Sequence, residues 1–147
     1  MALVQNKKVG LKYEILEKFE AGIELLGFEV KSLRNNRGSL EGTYISARSG
    51  EVFLVNANIP PYQTANTPDD YDPRRSRRLL LTKKEIRKLA DTETKGGLTI
   101  VPISVYNKNS KIKIEIAIAK GKKKYDHRQD IKKRDANRAI ERTLKNS

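Results

Sequence analysis

The chain has 147 residues, room for one domain and an appendage, and its 31 Lys/Arg against 18 Asp/Glu give a net charge of +13. That excess points to a polyanion partner, nucleic acid before an anionic membrane. Cysteine is absent and there is a single histidine, which excludes disulfides and thiolate metal sites and argues against a His-based zinc site or any cofactor.

No apolar run approaches the roughly 18 residues of a membrane span, so no membrane partner is expected. The opening MALVQNKKVG lacks the apolar core of a secretory signal, so the expected location is cytoplasmic. In chain order, Lys12–Phe19 reads as a strand, and Ala21-Gly22 as its break, with Gly22 supplying a sharp turn. Ile23–Leu26 resumes and Gly27 interrupts. Phe28, Val30 and Leu33 with Lys31 and Arg34 then predict a short amphipathic helix ending in the turn Asn35-Asn36-Arg37-Gly38. Glu20 stands at the first break. A carboxylate repels phosphate, so in a nucleic-acid binder it either sits in a local ion pair or accepts hydrogen bonds from base amino groups, which is readout rather than affinity.

Thr43–Ala47 and Val52–Val55 flank Arg48-Ser49-Gly50 as a hairpin, and Pro60-Pro61 ends the ladder. Gln63–Ser76 is polar and reads as a long, functional loop. Its Asp69, Asp70 and Asp72 match no calcium-loop spacing. After Arg77-Arg78-Leu79-Leu80-Leu81, Thr82 and Glu85 form a capping-box pattern. Ile86, Leu89 and Ala90 then give one face of a helix that stops before Gly96-Gly97. Leu98–Tyr106 and Lys111–Ala119 are the most regular strands. In the second, Ile112, Ile114, Ile116 and Ile118 alternate with Lys111, Lys113, Glu115, Ala117 and Ala119, the pattern of a half-buried antiparallel strand. About six strands with two short helices indicate a mainly β fold, a small closed or nearly closed antiparallel barrel.

The last strand leads into a basic tail. Lys120–Ser147 carries 11 Lys/Arg against 4 Asp/Glu, more than half of the excess charge in less than a fifth of the length. Its few large apolar groups build no core, so it is expected to be disordered when free. It lacks Gly and Pro from Asp126 onward, and Asp130/Arg134 and Arg138/Arg142 fall four apart, so a helix is expected when a nucleic acid neutralises it. Tyr125, among cations at the root, has the chemistry to stack on a base. The division is therefore a barrel over 1–120 and a tail over 121–147. No phosphate-binding Gly-rich loop, nucleophile elbow or Cys-His pair is present, and His127 lies in the tail, so the chain reads as a binder and not an enzyme. A nuclease using Asp69, Asp70 and Asp72 with magnesium, and a nucleoid protein, are the other classes that such a charge admits.

The residues also carry a resemblance. Asn6-Lys7-Lys8, Phe19–Leu25, Glu29–Arg34, Ala57-Asn58-Ile59, Arg77–Leu81, Gly121–Arg128 and Asp130–Asp135 together resemble the SmpB (SsrA- or tmRNA-binding) family, in order and over essentially the whole chain. The resemblance implies an OB-fold-like barrel that binds the tRNA-like domain of tmRNA. It also implies delivery with elongation factor Tu and GTP to ribosomes stalled without a stop codon, by a monomer carrying one tmRNA. The tmRNA-binding set that follows is Asn6, Lys7, Lys8, Glu20, Lys31, Arg34, Leu80 and Thr82, where Thr82 replaces a frequent Asn. The tail set for small-subunit ribosomal RNA in the decoding centre and message channel is Gly121, Lys122, Lys123, Tyr125, Asp126, His127, Arg128, Lys132, Lys133 and Arg134. His127 replaces the usual Lys. The alternative within the binding class is another OB-type translation factor or ribosomal protein.

Overall fold

The computed structural model describes residues 2–63 and 67–122, which form a single antiparallel sheet with three helices. The strands are β1 (Ala2–Gln5), β2 (Tyr13–Ile23), β3 (Tyr44–Arg48), β4 (Glu51–Val55), β5 (Arg77–Leu80), β6 (Thr99–Lys108) and β7 (Lys111–Gly121), and the helices are α1 (Val9–Lys12), α2 (Gly27–Arg34) and α3 (Lys83–Lys95). The spatial order is β1-β6-β7-β2-β5-β4-β3. The sheet curls until β3 touches β6, with α3 packed on both, so the mainly β, barrel-like fold is nearly closed.

The isoleucine face of β7 explains the curl. Ile112, Ile114, Ile116 and Ile118 are all buried and meet Phe19, Ala21, Leu54, Leu79 and Val105, with Leu33 from α2 and Leu89 from α3 filling the interior. Each such side chain contributes about 1.5–3 kcal/mol on burial. The hairpins are tight. Ser49-Gly50 and Asn109-Ser110 both have positive φ, the two-residue geometry that matches strand twist. The second turn is therefore shorter than Asn107–Ser110, and Lys108 belongs to β6. Thr82 caps α3 as its pattern predicts: Glu85 N–H donates to Thr82 Oγ1 (3.2 Å), and Thr82 N–H donates to Glu85 Oε1 (3.0 Å).

Three expectations are corrected. Ala21-Gly22 does not break the strand: β2 runs through to Ile23, pairing Gly22 with Lys113 of β7 and Leu80 of β5. Gly22 serves close approach instead, since a Cβ there would stand 3.3 Å from the Cβ of Leu80. Ala2–Gln5, not foreseen as a strand, is recruited to the edge of β6. Finally, the alternate face of β7 is solvated for only half its length. Ala117 and Ala119 are fully buried beneath Val9, Tyr13, Ile15 and Ile103, a small second core on the outside of the sheet.

A candidate nucleic-acid interface

Glu20 lies on the outer face of β2, directly opposite Glu115 of β7. Two carboxylates facing each other across a ladder repel. Each is met by a cation: Lys108 Nζ stands 3.1 and 3.2 Å from the two oxygens of Glu20, and Lys18 Nζ 3.9 Å from Glu115. The Tyr106 hydroxyl also donates to Glu20 Oε2 at 2.5 Å. This hydrogen bond, then that of Lys108, holds the exposed carboxyl below the ordinary carboxylate range. Tyr106 is correspondingly pushed up, by partial burial and then by the Glu20 carboxylate. The result is an ionised acceptor, fixed in direction, inside a ring of Lys18, Lys108 and Lys113.

Leu80 and Arg34 adjoin this centre. Leu80, half exposed, rests over Gly22, two residues along β2 from Glu20. Arg34 Nη2 donates to the Ser110 carbonyl at 2.9 Å, tying α2 to the β6–β7 turn. Between them an open groove of about 320 Å³ has Leu25, Val30 and Leu80 as apolar walls and Arg34, Lys111 and Lys113 as cations. Lys31 is exposed on α2, and Thr82 follows Leu80 with its hydroxyl committed to the α3 cap.

The structure thus brings Glu20, Arg34 and Leu80 together but sets Asn6, Lys7 and Lys8 apart. Asn6 Nδ2 donates to the Pro102 carbonyl (3.0 Å), and exposed Lys7 and Lys8 share a groove wall with Leu40 and Glu41. Asn6, bonded to Pro102 and Ile103, lies level with Phe19 and is set apart from Glu20 by the width of β6 and β7. The chain then passes through α1 to Tyr13, which pairs with Gly121 at the tail root. Tyr13 and Gly22 are nine residues apart on β2, on the order of 30 Å. Gly121 is the last residue of β7, and Lys122 N–H donates to the Lys12 carbonyl (2.8 Å). Lys123, Tyr125, Asp126, His127, Arg128, Lys132, Lys133 and Arg134, with the helix expected there, lie outside the described residues.

Sequence reasoning missed the network that supports this surface. Glu29 and Arg77 are completely buried and joined by two bonds to Glu29 Oε2, 2.6 Å from Nη2 and 2.9 Å from Nε. Arg75 Nη2 reaches Glu29 Oε1 (2.6 Å), Leu26 N–H donates to the same oxygen (2.8 Å), and the Tyr71 hydroxyl lies 2.8 Å from Oε2. Arg77 also donates to the carbonyls of Ala57, Pro73 and Arg75. Burial alone raises the Glu29 pKa, but the bonds from Arg75, Leu26 and Arg77 outweigh it and leave it lowered. The Tyr71 phenol is pushed up to about 12, by burial and then by Glu29. The described part of the loop from Thr67 to Ser76 is therefore clamped onto α2, with Tyr71 edge-on to Phe28 at 4.7 Å. One signal was available: Arg77 and Leu79 share the inward face of β5, and an inward arginine demands a buried acceptor. Lys108 falls in the expected turn and not in the strand, and Tyr106, inside the expected strand, meets Glu20 only across 86 residues, which no local pattern signals. Among the described residues no three His, Cys, Asp or Glu side chains converge as metal ligands. No described helix is long and apolar enough to cross a membrane.

Known proteins match this chain along its length. The SmpB family model, described as SmpB protein, matches residues 3–146. An SsrA-binding protein of Thermosipho africanus is 51% identical over 144 residues, covering 97% of this chain and 96% of the relative. An SsrA-binding protein of Enterococcus hirae is 48% identical over 145 residues, covering 98% and 93%. A chain of the solved structure "tmRNA-SmpB: a journey to the center of the bacterial ribosome" superposes with a TM-score of 0.67 at 38% identity, covering 86% of this chain and 92% of that one. A nearly closed β-barrel with a carboxylate set among cations, and relatives of this identity from one end to the other, make this chain a member of the SmpB family.

Proposed function

We infer that this chain is a tmRNA-binding protein of trans-translation, which recognises the tRNA-like domain of tmRNA and acts with it in rescuing stalled ribosomes. The observation that carries the reading is family membership over residues 3–146, because a barrel by itself hosts many unrelated RNA-binding roles. The surface around Glu20 is suited to it. Lys18, Lys108, Lys113 and Arg34 attract phosphate from the rim, while the central carboxylate disfavours phosphate and accepts from base amino or ribose hydroxyl groups. That arrangement discriminates by shape, since only an RNA whose backbone spans the rim places its donors over the centre. Leu80 offers an apolar contact beside it.

In finer detail, residues 1–120 serve tmRNA, with Asn6–Lys8 as an outlying contact. Residues 121–147 serve the small-subunit decoding centre and the message channel, where Tyr125 stacks on ribosomal RNA and the basic run behind it replaces the missing message. One monomer carries one tmRNA, delivery is with elongation factor Tu and GTP, and the setting is the cytoplasm.

The test is equilibrium binding at one fixed salt concentration to three ligands of equal length: the tRNA-like fragment of tmRNA, single-stranded RNA and duplex DNA. The expected outcome is a preference for the fragment of about tenfold or more, some 1.4 kcal/mol. Equal affinities would show counterion release without recognition and would overturn the reading.

A further inference from the structure

Among the described helices α3 carries the most charges, and between Glu85 in its first turn and Lys95 in its last, both favourably placed, they run in the wrong order. Lys83, Lys84, Arg87 and Lys88 fall within its first six residues, while Asp91 and Glu93 fall in its second half. The helix macrodipole favours the reverse, anions at the start and cations at the end. The cations also crowd one another, since Lys84 and Lys88, and Lys83 and Arg87, stand four apart, where like charges repel.

Local structure gives these side chains little to do. The opposite face of α3 does the packing, through buried Leu89 and Thr92 with Ile86 and Ala90 against the core. Glu85 is used in the cap and Glu93 Oε2 accepts from Ala47 N–H, so neither neutralises the cations. Lys88 pairs with Glu17. Lys83, Lys84 and Arg87 are exposed and have no ion pair among the described residues. Lys84, Arg87 and Lys88 are spaced i, i+3, i+4 and share one solvent-facing stripe, which exposed Asp91 interrupts one turn on and Lys95 resumes, along a helix of about 20 Å.

Cations gathered at the wrong end of a helix, of which Lys88 alone has an ion-pair partner among the described residues, mark a surface shaped by a partner. We propose that the exposed face of α3, centred on Lys84, Arg87 and Lys88, is a second RNA contact that tracks the phosphate backbone of a structured RNA alongside the contact at Glu20. Charge complementarity selects this occupant: the stripe offers cations without aromatic or apolar groups, which suits a row of phosphates and gives no sequence readout. Leu80 and Thr82 lead directly into α3, so the backbone tracked is that of the same RNA, the tRNA-like domain. That assignment rests on the proposed function.

The experiment uses the full chain and the variant Lys84→Gln/Arg87→Gln, since glutamine keeps the helix propensity. Affinity is measured across a salt series for the tRNA-like fragment and, separately, for small ribosomal subunits, and the melting temperature is recorded. The expected result is a salt slope for the fragment flattened by about 1.5, with the melting temperature raised by about 1–3 °C as the helix is relieved of its misplaced charge. The same flattening on ribosomal subunits alone keeps the phosphate track and reassigns it to ribosomal RNA. Unchanged slopes on both ligands overturn the proposal, and a fall in melting temperature overturns its premise. If the unsubstituted chain shows no preference for the fragment, the functional reading fails by itself, because the track is read from the difference between variant and parent.

Discussion

Glu20 owes its usefulness to two neighbours more than 80 positions away. Tyr106 donates a short hydrogen bond and Lys108 supplies the opposing charge, so the carboxylate stays ionised and pointed among cations. Tyr106→Phe removes the larger cause of the lowered pKa and leaves Lys108 in place. The Glu20 titration, followed by carboxyl carbon NMR, should move up toward the ordinary value of 4.5. The groups facing it that must be tracked in the same experiment are Glu115, Lys108, Lys113 and Lys18. Affinity for the tRNA-like fragment should fall roughly three- to tenfold, the scale of one hydrogen bond. A Glu20 titration unchanged in the variant would mean that Lys108 alone sets the carboxylate. The basic motif Arg77-Arg78 divides differently from its appearance: Arg77 is interior scaffolding, and Arg78 is exposed beside Glu24 and Glu51.

Among the elements, α2 and the loop before β5 form one mechanical unit through Glu29. A buried carboxylate that loses its charge leaves two arginines unmatched, so Glu29→Gln should destabilise the fold by about 3–5 kcal/mol, read from the shift of the urea midpoint at neutral pH. The sign of the pH dependence follows from the lowered pKa. The contribution of Glu29 is fully present above the ordinary value of 4.5 and is lost as pH falls through its folded value. The parent should therefore show a steeper acid limb below about pH 4.5 than the variant, which keeps the share that comes from Glu20. Tyr71 gives the opposite limb: its raised pKa means that its contribution is complete below 10 and is lost as pH rises toward about 12. Equal acid limbs in parent and variant would remove Glu29 as their source. Because α2 presents Lys31 and Arg34, loosening this clamp also loosens the groove wall opposite Leu80.

For the whole molecule, the length of β2 separates the two ends to which the proposed function assigns different RNAs. The Glu20 centre lies at one end, and the root of the tail is fastened at the other by the Tyr13–Gly121 pair and the Lys122 bond to Lys12. Deleting 123–147 spares both fastenings. On the proposed function, the shortened chain should hold the tRNA-like fragment within a few-fold of the parent while tagging on stalled ribosomes is abolished. A loss of fragment affinity as severe as the loss of tagging would show that one RNA uses both ends.

What the sequence by itself determined is the local grammar: the isoleucine alternation of β7, the Thr82–Glu85 cap, the hairpin before Val52, the mainly β class and the basic excess at the end of the chain. These depend on residues a few positions apart, whose periodicity and backbone preferences act before any long-range contact forms. The motif order made the family legible in the same way, and it marked Glu20, Arg34 and Leu80, which the fold gathers at one place. The tertiary structure alone decided the rest. Gly22 became a point of close approach because β5 crosses there, and Ala2–Gln5 became a strand because β6 had an open edge. Ala117 and Ala119 became interior because α1 folds over them. Glu29 found Arg77, and Glu20 found Tyr106, across separations of 48 and 86 residues that no spacing rule reaches. A charge is local in the sequence, but whether it is a scaffold, a reader of bases or a track for phosphates depends on what the fold sets against it.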